Sequence, residues 1–451
     1  MSGNGDLHAL MQRTLRLVER GEAEVVATRR DLALTRFAAS RIHQNVAEHD
    51  ATLRLRIVDG HRTGVASTNR LDESGLRDVV ARATAIAERA RPNPNGAPIA
   101  EAGEAIDSDL GYVAATAEAD PRVRADGAAA VIAAAQRSEL VASGAFSTEG
   151  RTIAVANSAG VHATHRSSEA RLVTVLMRDR ASGYAQAVGS DVGQIDAEAA
   201  GLEAADKAER SEGAIDLEPG AFPVVLEAYA VGTLLEYLSL ISFGALALEE
   251  GRTFMEIGKR VMGDNVSIWD DGLDASGIPS VIDYEGVPKQ RVDLVRAGVA
   301  VGVVHDSATA RRAGVASTGH GLPAPNTWGP IAWNLHMAGG RASATEELLA
   351  GIERGVWVTR FHYVNIVHPK KGVLTGMTKD GTFLIEDGRI TRPIRNLRFT
   401  QSIPEAFSAI EEATEARRLT MAEYTGIATL VPALRIGSFT FTGATSDESG
   451  E

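Results

Sequence analysis

The chain has 451 residues, 44% of them hydrophobic and 23% charged, with a formal net charge of −13 and no cysteine. That balance suits a folded protein with room for two cores and excludes a disordered or fibrous one. The negative charge disfavours nucleic acid as a partner, and the lack of thiols excludes disulfides and thiolate metal ligands.

No apolar run reaches the roughly 20 residues of a bilayer-spanning helix, so no membrane association is expected. The N-terminus has no basic and apolar leader, and the expected location is cytoplasmic. Basic residues come only as isolated pairs, such as Arg29-Arg30 and Lys370-Lys371.

In chain order, Asp6 is expected to cap a helix to Val18, with Leu7, Leu10, Met11 and Leu15 on one face. Strands are predicted over Glu24 to Thr28 and Leu32 to Val46. Ala51 to Val58 and His61 to Ser67 then form a hairpin across Asp59-Gly60. A helix from Asp72 to Ala90 stops at the proline-rich stretch Arg91 to Gly96.

A second helix, Asp126 to Ser138, precedes strand-like runs at Leu140 to Thr148, Thr152 to Asn157, Val161 to Arg166 and Ala170 to Arg178. The alanine-rich helix Asp196 to Arg210 ends in a polar stretch, which places a domain boundary near residue 215. The expectation is an α+β protein, with an N-terminal α/β-meander domain at 1–214 and a mostly antiparallel β domain at 215–451.

In the second half, Phe222 to Leu226 reads as a strand and Ala230 to Ala247 as the most apolar helix. Short strands follow at Ala297 to Val304, Val356 to Ile366, Val373 to Thr378, Thr382 to Glu386 and Arg389 to Phe399. Asp380-Gly381 and Asp387-Gly388 are predicted as the turns between them. A helix over Pro404 to Ala416, a strand over Leu434 to Thr442 and an acidic tail complete the chain. No repeat at solenoid or propeller periods is present.

Chemistry is sparsely signalled. There is no His-Glu-x-x-His helix, no Gly-x-Ser-x-Gly elbow and no phosphate-binding glycine loop. His162 and His165 are three apart on a predicted strand and so face opposite ways, while His362 and His368 are six apart and share a face up to Pro369. Glu249-Glu250 and Asp270-Asp271 read as solvated loop carboxylates. His305-Asp306 precedes a short helix that Asp306 would cap. The glycine-flanked loop Ser317 to Gly321 could bring His320 to His305, which makes His305, Asp306 and His320 the candidate metal ligands.

Four strings in order give the chain a likeness: Ala230-Val231-Gly232-Thr233-Leu234-Leu235-Glu236-Tyr237-Leu238, Ser317-Thr318-Gly319-His320-Gly321, Leu374 to Gly381, and Phe383 to Gly388. Together they resemble the TldD/PmbA family, the modulator of DNA gyrase family of metallopeptidase components. In catalytic members the helix after Gly-x-Leu-Leu carries His-Glu-x-x-x-His, which binds zinc with a later cysteine. Here Glu236 stands at the first histidine, Tyr237 at the general-base glutamate and Ile241 at the second histidine, and the cysteine is gone.

The resemblance therefore implies a PmbA/TldE-type member with no catalytic or cofactor-binding residues of its own. It would be the non-catalytic subunit of a heterodimeric zinc metallopeptidase that degrades unfolded or leader peptides, with zinc in a TldD-type partner subunit. The alternatives are an autonomous homodimeric metal-dependent hydrolase built on His305, Asp306 and His320, or a peptide-binding module without an enzymatic partner.

Overall fold

Val25, Ala27, Leu53, Leu55 and Ile57 point one way from neighbouring strands, into a core closed by helices Asn4–Arg16 and Glu73–Arg89. Val26, Ile153 and Val155 point the other way, onto Val281 and Ile282 of the second half. Burial on both faces suits the apolar run Ile153 to Ala156, whereas Leu53, Leu55 and Ile57 alternate with Arg54 and Arg56, and buried Arg56 is paired with buried Glu24. A computed structural model, describing residues 4–444, shows an α+β protein with three sheets. The acidic tail beyond Ala444 lies outside the described residues.

The first sheet runs in the order Arg62–Thr68, Arg41–Asp59, Glu22–Ala38, Val141–Asn157, His162–Arg178, and the last of these also pairs with Ala181–Gly189. Its two halves follow one plan of helix, three antiparallel strands and helix. The closing helices are Glu73–Arg89 and Ala197–Arg210, near their expected bounds, and the Asp72 and Asp196 side chains cap them. In each half a strand glycine admits the helix. A Cβ on Gly64 would lie 2.0 Å from Ala83 O, and one on Gly183 would lie 2.0 Å from Ala204 O. The same element plan thus recurs after more than a hundred residues.

The second half holds a closed barrel. Arg354–His368, Gly220–Leu226, Leu434–Ala444, Leu397–Ser402 and Val373–Glu386 pair in that order, and the last pairs back to the first. Beside it lies a six-stranded sheet of short strands that includes Ile268–Asp270, Asn334–Met337, Ala428–Val431 and Arg418–Met421. The helix Ala228–Ser242 is buried between barrel and sheet. Gly232 is required there, because a Cβ would meet Thr420 Oγ1 at 2.3 Å. No helix among the described residues is long and apolar enough to cross a membrane.

Several boundaries differ from expectation. The N-terminal helix is already formed at Asn4, two residues ahead of Asp6. The strand predicted across Leu32 to Val46 is a hairpin turning at Ala39 and Ser40, both at positive φ. Ser40 is held in that turn by two hydrogen bonds with the backbone of Ala142.

The runs from Leu140 to Arg178 merge into two long strands, and the helix expected at Asp126 starts at Pro121 under an Asp120 cap. The apolar helix breaks at Phe243-Gly244, where a Cβ would lie 2.1 Å from Pro330 O, and resumes as Ala245–Glu249. Asp380-Gly381 is no turn. Val373–Glu386 runs through it, with a register shift opposite Val358 to Arg360. The Ala297 to Val304 strand shrinks to Val299–Ala300, and Arg389 to Phe399 divides into two strands. The helix at Pro404 spans only Ile403–Ser408 before a strand, Ile410–Ala413.

Candidate functional site

Glu236, Tyr237 and Ile241 all lie on the buried helix Ala228–Ser242. Glu236 Oε1 accepts a hydrogen bond from Thr425 Oγ1 at 2.8 Å, and burial pushes its carboxyl above the usual range. Tyr237 donates to Val364 O at 2.5 Å. Ile241 packs in the main core. Glu236 and Tyr237 border a concavity of about 70 Å³ with Arg360, His362 and Glu423. One carboxyl, one phenol and one alkyl side chain do not make a zinc site, which needs three or four converging nitrogen, sulfur or carboxylate donors. The residues present do not fit the metal that a catalytic helix would hold here.

On the other side of the loop Met421–Gly426, a cleft of about 910 Å³ opens between the first sheet and the second half. Arg30, Arg151, Glu169 and Arg171 line one wall, and Asp283, Tyr284, Lys289, His320 and Asn334 the other. Trp328 and Tyr424 stand at its border, 60% and 77% exposed.

The floor is a buried polar cluster. Asp270, fully buried, accepts from His320 Nε2 at 2.8 Å through Oδ1 and from Asn334 N at 2.7 Å through Oδ2. Burial alone would raise Asp270, but His320 and Lys289 hold it below the usual carboxylate range. His320 is lowered by burial first and then by Lys289. The other ring nitrogen, Nδ1, lies 2.9 Å from Thr318 Oγ1, whose hydroxyl donates to His305 O at 3.1 Å.

Asp–His–Thr in series has the form of a nucleophile relay. Thr318 Oγ1, however, also accepts from His305 N at 2.7 Å, and Thr318 does not border the cleft. Next to this pair, Asp283 accepts three backbone N–H bonds, from Glu285, Val287 and Gly321. Burial raises Asp283 to about 6 and, together with Asp283 and Glu24, raises Glu285 to about 8. Burial lowers Lys289, against the pull of Asp270 and Asp283.

The candidate ligands His305, Asp306 and His320 are brought near one another but not to one point. Asp306 caps Ser307–Ala313 in a capping box with Thr309, and both His320 nitrogens are engaged. Among the described residues no three metal-ligating side chains converge. His162 stacks on His8, whereas His165 meets Pro279 O, on the opposite strand face. His362 borders the small concavity, but register shifts separate it from the exposed His368.

Glu249 pairs with Arg312 near the surface. Asp270 corrects the reading of Asp270-Asp271 as a solvated pair, because the strand Ile268–Asp270 carries it inside. Sequence reasoning also passed over Lys289, Asp283 and Asn334. The one signal available was Asp270 closing the apolar run Ile268-Trp269, which marks a strand rather than a loop.

The chain matches the profile of the PmbA/TldA metallopeptidase C-terminal domain over residues 219–443 and that of PmbA/TldA metallopeptidase domain 1 over 23–87. It is 30% identical over 218 residues to a metalloprotease TldD homolog of Haemophilus influenzae, covering 46% of this chain and 43% of that one. A metalloprotease TldD homolog of Buchnera aphidicola is 30% identical over 189 residues, 39% of this chain and 37% of that one. The match thus spans less than half the length of these relatives. The crystal structure of TldE from Thermococcus kodakarensis superposes with a TM-score of 0.86 at 19% identity, covering 96% of this chain and 100% of that chain.

Proposed function

This chain belongs to the PmbA/TldD metallopeptidase family, and from that premise we propose that it is the non-catalytic subunit of a two-subunit zinc peptidase acting on unfolded or leader peptides in the cytoplasm. The observation that carries the reading is the side-chain set on the helix Ala228–Ser242. Glu236 is tied to Thr425, Tyr237 to Val364 and Ile241 to the core, so the position that serves as a metal platform in catalytic relatives is scaffold here. The zinc and its general base would come from a TldD-type partner. This chain would supply a second wall around the peptide, with its cleft open to extended segments.

Co-expression with a TldD-type subunit tests the proposal. The two chains should copurify, zinc should travel with the partner, and an unfolded peptide should be cut only by the mixture. Peptide hydrolysis by this chain alone, with stoichiometric metal bound, would overturn the assignment and favour an autonomous hydrolase.

A further inference from the structure

Lys289 and Asn334 are 7% and 4% exposed and both line the cleft. They converge over Gly272, where a Cβ would lie 3.1 Å from Asn334 Oδ1 and 3.2 Å from Lys289 Cδ. Asn334 Nδ2 donates to Ile278 O at 2.6 Å, which fixes the amide orientation and leaves Oδ1 buried without a protein partner. The Lys289 ammonium has three N–H donors and lies in the field of the Asp270 and Asp283 carboxylates. Asp270 is engaged by His320 and Asn334 N, and Asp283 by three backbone amides. Arg171 Nε, on the facing wall, is a further buried donor without a protein acceptor.

Buried polar groups are rarely left unmatched, so the unpartnered Asn334 Oδ1, with the Lys289 ammonium beside it and the unpartnered Arg171 Nε on the facing wall, points to a ligand that presents both an N–H and a carbonyl. Charge narrows the choice. One ammonium already faces two carboxylates, so a further anion is disfavoured and a neutral carbonyl is suited. A secondary amide presents a carbonyl oxygen and an N–H on one rigid plane.

We propose that the cleft floor is a peptide-backbone clamp, in which Lys289 Nζ donates to a carbonyl oxygen of a bound extended peptide and Asn334 Oδ1 accepts one of its N–H groups. Trp328 and Tyr424 at the border offer faces for the side chains on either side of that amide. The inference rests on the peptide-binding part of the proposed function and needs no partner subunit.

The test uses the isolated full-length chain and a blocked peptide, acetyl-Ala-Ser-Ala-Ser-Ala-amide. Reductive methylation with formaldehyde and a borane, read by mass spectrometry, should label Lys289 in the free chain. Saturating peptide should cut that labelling by about tenfold, the equivalent of one well-made charged hydrogen bond, while exposed Lys259 and Lys370 stay unchanged. The same peptide with every amide N-methylated should protect less at equal concentration, because it keeps the carbonyl acceptor for Lys289 and loses the N–H that Asn334 Oδ1 accepts. Lys289→Met, which keeps the apolar stem, should weaken peptide binding by about tenfold in tryptophan fluorescence. If that variant does not fold, labelling of the wild-type chain decides alone.

Equal protection by the N-methylated peptide or by acetate would overturn the clamp, as would a Lys289 that never labels. A partnered complex that cuts peptides while Lys289 stays unprotected removes only this inference. Protection without activity in any pairing removes only the subunit assignment.

Discussion

Glu285→Gln isolates what a buried acid contributes beneath the cleft. Glu285 is 6% exposed, its Oε2 accepts from Ser307 N at 2.9 Å, and burial with Asp283 and Glu24 nearby raises it from 4.5 to about 8. Because the folded state holds this proton more tightly than the unfolded chain, stability falls as pH rises from 4.5 to about 8 and is level above that. At 1.36 kcal/mol for each tenfold change in the ionisation constant, the full loss is at most about 5 kcal/mol. Glutamine keeps the acceptor for Ser307 and never ionises, so it escapes the loss.

The variant should match the wild-type chain near pH 4.5 and exceed it progressively up to pH 8.5. With about 2 cal/mol/K of unfolding entropy per residue, a cooperative unit the size of the second half moves by about 2 °C per kcal/mol. Calorimetry at pH 5, 6.5 and 8.5 should therefore show the melting temperature of the variant drawing ahead by several degrees. A constant difference across that range, or a variant that falls behind as pH rises, would refute the account of Glu285 as a proton held by burial.

Lys207 bridges the two halves, donating to Glu203 at 2.8 Å and to Glu227 at 2.7 Å, while Glu227 also accepts from Trp357 Nε1 and Thr359 Oγ1. Lys207→Met strands the Glu227 carboxylate and should destabilise by about 3 kcal/mol in denaturant titration; Lys207→Met/Glu227→Gln should recover most of that. The triple substitution Glu236→His/Tyr237→Glu/Ile241→His should yield no peptidase activity in the isolated chain, because the chain has no cysteine to complete the ligand set. Zinc-dependent hydrolysis by the triple variant alone would show that the degenerate helix has been misread.

Much of the fold was legible because it is written in short-range chemistry. Asp72, Asp196 and Asp306 each cap the helix that follows within three residues, and the Asp387-Gly388 turn is encoded by two adjacent residues at positive φ. The proposed replacement of a metal motif is likewise read from six consecutive positions, Glu236 to Ile241. The misreadings fall where a distant contact overrides a local signal. Asp380-Gly381 has the composition of a turn, yet Asp380 is buried, accepting from Ser182 at 2.6 Å and Arg360 Nε at 2.7 Å, and the strand continues through it. Ala39-Ser40 has no turn composition but turns all the same, because Ala142 on a strand about a hundred residues away pins it.

By itself, then, the sequence determined the α+β class and the positions of the main helices, which depend on residues within a few positions of one another. Only the tertiary structure decided that Asp270 is buried, that His320 serves it rather than His305, and that Lys289 and Asn334 meet over Gly272 at the floor of a cleft. Asp270 is 50 residues from His320 and 64 from Asn334. Strand pairing brings such groups together, and no local spacing in the chain records it.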